Sequence, residues 1–222
     1  PTQISGYAPK NFNLRYVGAV PASRALARSL NVPAVRMLQK HGLERFHYLL
    51  QSLGMTSVSY PAGRYGLSLI LGGAEGTLWD LTGIYASFSR MLNHYTKYSG
   101  QYFPEDLRPP SFLPIERKEI KQGISNSYQK DFLSAASVWY TYKALLEVHR
   151  PDIESGWKSY ASYNNIAWKT GTSFGYRDGW AIGTNPQYVV GVWVGNADGE
   201  GRPGLTGLGA AAPLLFDVFG LL

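Results

Sequence analysis

The sequence predicts an α+β domain, a helical cluster followed by an antiparallel sheet, and three observations carry that prediction. Apolar residues recur at helical spacing between about residues 23 and 148. Three short extended runs follow, between residues 166 and 195. Each change of pattern is marked by glycine, proline or a capping hydroxyl. The composition supports a core: of 222 residues, 45% are hydrophobic and 14% aromatic. No run of about 18 apolar residues occurs, so no membrane-spanning helix is expected.

Residues 1–20 read as loop with short extended pieces, broken at Asn11, Asn13 and Gly18. Ser23 is the expected N-cap of a first helix through about Arg28. After Ser29-Leu30-Asn31, Pro33 suits the first turn of a second helix that runs to Lys40 and ends at Gly42. Leu43, Phe46, Leu49, Leu50 and Leu53 predict a third, closed by Gly54. Gly72-Gly73-Ala74-Glu75-Gly76 reads as a turn. Thr77 then caps a helix from Leu78 to Asn93, with Leu78, Leu81, Tyr85, Phe88 and Leu92 on its apolar face. Residues 95–130 read as loop with short strands at Tyr102-Phe103 and Ser111-Phe112-Leu113. Ser134 caps a helix to about Val148, with Pro151 beyond it. The pattern then becomes extended: residues 166–172, 178–183 and 188–195 predict three consecutive strands, the last two joined by a hairpin turn over Thr184-Asn185-Pro186-Gln187. A terminal helix from Leu205 would pack on that sheet.

The 21 Lys and Arg exceed the 15 Asp and Glu by six, and they are scattered without the density of a nucleic-acid stripe. A mildly basic surface suits an anionic polymer or membrane face, and equally an ordinary solvated surface. There is no cysteine, which excludes disulfides, thiolate metal sites and a cysteine nucleophile. The opening Pro1-Thr2-Gln3 and the apolar close from Pro213 to Leu222 both read as cuts through a longer protein.

The sharpest chemical feature is Trp168-Lys169-Thr170-Gly171-Thr172-Ser173. On an edge-like strand, Lys169 offers a cation to a substrate carboxylate, and the hydroxyls of Thr170 and Thr172 can donate to the same group. Gly171 removes a side chain where a ligand would lie along the backbone. The Thr172 N–H can point at a developing oxyanion. Alone, a Lys-Thr-Gly triplet is as readily a surface strand with a solvated lysine. The upstream Ser29-Leu30-Asn31 changes that balance, because Ser-x-x-Lys, Ser-x-Asn and Lys-Thr-Gly together form the motif set of the penicillin-recognising enzymes.

The flanks sharpen the likeness. Tyr16-Val17-Gly18-Ala19-Val20 leading into Ala25–Val35, Gly66–Thr77, and Lys169-Thr170-Gly171-Thr172-Ser173 followed by Asp178-Gly179-Trp180-Ala181 resemble the class A penicillin-binding proteins. Ile4–Phe12 and Ala22–Leu26 resemble their 1C type. The resemblance spans nearly the whole chain. It implies part of a penicillin-recognising serine transpeptidase domain with a β-lactamase-like fold. The helical part would fall over residues 1–160, and terminal strands plus a helix over 161–222. It also implies D-alanyl-D-alanine transpeptidation on peptidoglycan stems, with β-lactams as mimics and no cofactor, metal or nucleic acid. The site would lie on the periplasmic face of the inner membrane, in a membrane-anchored protein with an upstream glycosyltransferase domain. By position, Ser29 would relay a proton to the leaving amine and Asn31 would bind the donor amide. Lys169 would supply positive potential and aid proton transfer. Thr170 and Thr172 would hold the terminal carboxylate, flanked by Gly171 and Ser173, and the Thr172 N–H would form half of the oxyanion hole.

A nucleophile is also needed, in Ser-x-x-Lys, where one helical turn lets the lysine take the hydroxyl proton. Two matches occur, Ser127-Tyr128-Gln129-Lys130 and Ser155-Gly156-Trp157-Lys158. Both fall between the other two motifs, whereas the family places its nucleophile before both, so both read as coincidences. The attacking serine is expected on an N-terminal segment preceding Pro1. A β-lactamase or D,D-carboxypeptidase would share these motifs but use water as acceptor; a scaffold would keep the fold without the chemistry. The four histidines lack ligand spacing, and His41, His94 and His149 suit helix C-termini. Gly72–Gly76 lacks a P-loop lysine, and Asp198-Gly199-Glu200-Gly201 reads as a surface turn. The aromatics around Tyr140, Tyr142 and Trp157 read mainly as core.

Overall fold

The computed structural model describes residues 7–16, 18–112, 133–148 and 165–222. Helices come first: α1 (Ala22–Ala27), α2 (Asn31–His41), α3 (Leu43–Ser52), α4 (Ala62–Tyr65) running into a 3₁₀ turn (Gly66–Leu71), α5 (Leu78–Lys97), a second 3₁₀ turn (Pro104–Leu107) and α6 (Ala135–Leu146). Strands β1 (Ala167–Thr172), β2 (Asp178–Thr184) and β3 (Val189–Gly195) follow, then a π turn (Gly207–Ala211) and α7 (Ala212–Leu221). The architecture is α+β, with an antiparallel sheet ordered β1-β2-β3. Lys169 pairs with Ile182 and Thr172 with Gly179, which places β1 at one edge.

The sheet lies between two helical layers. On one face Trp168, Ala181, Leu215, Phe216 and Phe219 form a core, with the Trp168 and Phe216 rings crossing edge to face at 5.0 Å. Helix α5 packs on β3, and α6 bridges α1 and β1. A second core joins α2, α4, the first 3₁₀ turn and α5 through Leu38, Met55, Val58, Tyr65, Leu69 and Ile84, with Phe46 and Leu50 of α3 packed against it.

Several local expectations shift. Ser23 does not cap α1; the helix starts at Ala22 after Pro21, with no capping side chain. Helix α2 begins at Asn31 with Pro33 in its first turn, and its cap is long-range: Asn11 Oδ1 accepts from the Val32 N–H at 3.2 Å. Residues 62–71, unassigned from sequence, are helical. Thr77 and Ser134 do cap, accepting from the N–H groups of Asp80 and Ser137. Helix α5 runs one turn past Asn93; Leu81, Phe88 and Leu92 of the expected face pack against the cores, the most buried residues are Gly83, Ile84, Ser87 and Met91, and Leu78 is 36% exposed. Close packing buries Gly83: Pro110 lies on it, where an added Cβ would meet the proline Cδ at 2.5 Å. No strand forms at Ser111-Phe112, which follows two donor-less prolines; Leu113 lies outside the described residues. Tyr102 forms only an isolated bridge.

Candidate active site

Among the described residues strand β1 has one unpaired backbone edge, and its register fixes which groups face it. The Ser173 N–H donates to Asp178 O at 3.0 Å. Alternation along an antiparallel pair then turns Lys169 and Gly171 toward β2, while the N–H and C=O of Thr170 and Thr172 face the open edge. Side chains alternate as well. Trp168 is buried beneath the sheet, and Lys169 projects from the opposite face toward the helices.

There it meets Ser29. Lys169 Nζ donates to Ser29 Oγ at 2.8 Å and to Thr170 O at 2.7 Å. Burial pushes the ammonium down to about 8, since the site withholds the water a full charge needs. Ser29 is presented by a sharp helix end. Its φ is +53°, in the left-handed region. Two backbone bonds lock it there, Ser29 N–H to Leu26 O and Leu30 N–H to Ala25 O. This is the arrangement in which a helix normally ends on glycine. A serine held there is strain retained beside a functional group.

Two residues on, the amide of Asn31 donates to Lys10 O at 2.9 Å. The buried Asn11 completes this loop-to-helix tie by donating to Arg15 O and accepting from the Val32 N–H. At the far end of β1, Thr172 Oγ1 accepts from the Gly207 N–H at 3.0 Å, which leaves its hydroxyl hydrogen to donate elsewhere. Ser173 Oγ accepts from the Asp178 N–H and is engaged in the β1–β2 turn. Gly171 is exposed, and a Cβ there would make only ordinary contact, 3.5 Å from Trp180 Cβ. Among the described residues nothing requires that glycine.

The motif residues thus separate into a bonded centre (Ser29, Lys169, the Thr170 carbonyl), an adjoining Asn31, and an open strand end (Gly171, Thr172). Ser127 and Ser155 lie outside the described residues, as do His149 and Trp157. From sequence, Lys10-Asn11 reads as a chain break and as part of the 1C-type likeness and Gly207 carries no signal, yet they fix Asn31 and Thr172. The Gly72–Gly76 turn is a packing feature, with Gly73 closed against Ser68 O at 2.8 Å from an added Cβ. Asp198 Oδ1 accepts from the Glu200 N–H within a surface turn. Among the described residues no three His, Asp or Glu side chains gather as a metal site requires. His94 sits in the last turn of α5 and bonds Asp106 through Nδ1 at 2.6 Å.

No protein-family model matches the chain. The α+β frame, with a lysine on an edge strand bonded to a serine between two helices, has the fold of solved penicillin-binding proteins. Solved structures agree: penicillin-binding protein 1A from Haemophilus influenzae superposes with a TM-score of 0.65 at 20% identity, covering 99% of this chain and 37% of that one. The PonA1 protein from Mycobacterium tuberculosis, in complex with penicillin V, gives 0.60 at 21% identity, over 90% and 54%. In sequence the chain is a relative of penicillin-binding protein 1C from Escherichia coli K12, at 34% identity over 222 residues, all of this chain and 26% of that protein. Penicillin-binding protein 1B of Vibrio cholerae is 29% identical over 201 residues, 88% of this chain and 23% of that protein. The chain spans about a quarter of the length of these curated relatives. Among the described residues no helix is long and apolar enough to cross a membrane.

Proposed function

We propose that this chain carries the carboxylate-binding and oxyanion side of a serine acyl-transfer site that cross-links D-alanyl-D-alanine stems of peptidoglycan and that β-lactams block. The observation that carries this reading is the 2.8 Å bond from Lys169 to Ser29, with the lysine held near a pKa of 8. A lysine of that basicity beside a hydroxyl can pass a proton in either direction near neutral pH.

In the proposed reaction a serine hydroxyl attacks the penultimate D-alanine carbonyl carbon and gives its proton to the lysine of its own Ser-x-x-Lys. The new C–O bond forms, the C–N bond breaks, and the departing D-alanine amine takes its proton through Ser29 from Lys169. An amine of a second stem then attacks the ester and releases the serine. Thr170 and Thr172 bind the terminal carboxylate, Asn31 the donor amide, and the outward Thr172 N–H the oxyanion. The attacking serine comes from a Ser-x-x-Lys segment outside these 222 residues, in a longer membrane-anchored protein with a glycosyltransferase domain, acting on the extracytoplasmic side. Chain order supports this, since both Ser-x-x-Lys matches here fall between the other two motifs.

Fluorescent penicillin tests the reading. The chain alone is expected to take no covalent label, and the protein that includes the upstream segment is expected to take a stable one. A stable adduct on Ser127 or Ser155 overturns the placement of the nucleophile. Rapid β-lactam hydrolysis by the longer protein assigns water as the acceptor and makes it a β-lactamase.

A further inference from the structure

The charge of this chain is unevenly placed. Residues 1–74 hold eight Lys and Arg against a single acid, Glu44, whereas residues 75–222 hold thirteen against fourteen. The net +6 is therefore a +7 segment followed by a −1 segment. That basic segment contains α1, α2 and α3. Arg24 and Arg28 are one helical turn apart at the end of α1, and Arg28 directly precedes Ser29. Arg36 and Lys40 repeat the spacing on α2, and Arg45 follows on α3 beyond the Gly42 corner. All five are exposed. Among the described residues none of the five has an ion-pair partner; the single pair there is His94 with Asp106.

We infer that these five cations form a track that holds a carboxylate-bearing polymer and leads it to Ser29 and Lys169. The inference rests on the acyl-transfer reading and names how its polymeric substrate is held. Length argues for a polymer: α2 alone extends about 16 Å, so the series from Arg28 to Arg45 outreaches any single small anion. Arginine predominates, and its planar fork matches carboxylate geometry. One cation per turn is too sparse for a nucleic-acid stripe. Such a field raises the local concentration of an anionic chain and weakens with salt.

Co-sedimentation tests it, using the full chain with insoluble peptidoglycan that keeps its free stem carboxylates and with the same material after carboxyl amidation. Retention is expected on the first, falling steeply with added salt, and about tenfold weaker on the second. The combined variant Arg36→Glu, Lys40→Glu, Arg45→Glu lies outside the proposed chemistry and is expected to lose retention by about tenfold. If that variant misfolds by circular dichroism, the glutamine series replaces it. Equal binding to amidated polymer, equal binding by the variants, or stronger retention by anionic phospholipid vesicles overturns the track. Penicillin labelling of the longer protein is read separately. Its loss with salt-sensitive retention intact sinks the acyl-transfer reading, and normal labelling without retention sinks the track alone.

Discussion

Lys169 Nζ and Ser29 Oγ stand 2.8 Å apart although 140 residues separate them in the chain. The bond joins the sheet edge to the α1–α2 corner, so the lysine's protonation state and the position of the serine are coupled.

That coupling has a pH signature. Burial lowers Lys169 from its ordinary value to about 8, so the folded protein releases this proton before the unfolded chain does. Between about pH 8 and pH 10.4 the unfolded state holds more protons, and stability contributed by this residue rises with pH across that window. Acyl transfer by the longer protein is expected to fall as pH rises above about 8, because the leaving amine takes its proton from the charged Lys169. Lys169→Arg removes both effects; a pH–rate profile and urea midpoints at pH 7 and 10 check them.

Ser29 separates stability from activity. Its left-handed backbone favours glycine, so Ser29→Gly is expected to keep or raise stability, by up to about 1 kcal/mol, while acyl transfer falls about 100-fold or more. Ser29→Ala keeps the strain and loses the hydroxyl. Thermal midpoints and acylation rates of the two variants, side by side, decide the point.

Two glycines should part company. Gly171→Ala meets nothing tighter than 3.5 Å, so the fold is expected to survive while β-lactam affinity drops. Gly207→Ala drives a Cβ into the carbonyls of Gly171 and Trp180, and is expected to cost about 2 kcal/mol or more. Equal destabilisation of both variants in thermal melts would remove the distinction.

Asn11 reaches the site without touching it. Asn11→Ala removes the acceptor for the Val32 N–H and the donor to Arg15 O. A loss of about 1–2 kcal/mol is expected. Because the same loop supplies Lys10 O to Asn31, donor-peptide KM is expected to rise more than kcat falls.

Most local signals were carried by the sequence, the Ser23 cap being the exception. The Thr77 and Ser134 caps, the Gly42 break and the three strands each depend on neighbours a few residues away, and each is legible as pattern. The Lys169 strand could be named from residue type and order alone. What escaped depends on distant partners. The cap of α2 comes from Asn11, some 20 residues earlier, and the burial of Gly83 on α5 is set by Pro110. The strained backbone of Ser29 was also invisible, since a serine in that place gives no compositional hint of a positive φ.

The long loop closed by Lys169 and Ser29 makes the site a product of late assembly. Contacts of such sequence separation form only after the entropy of ordering the intervening chain has been met. The helices α1 to α3 draw on near neighbours, whereas the pair needs α1 and β1 brought together, with α6 packed on both. Ligand affinity should therefore report domain docking rather than helix content, and in partial denaturant it should vanish while much of the far-ultraviolet signal persists.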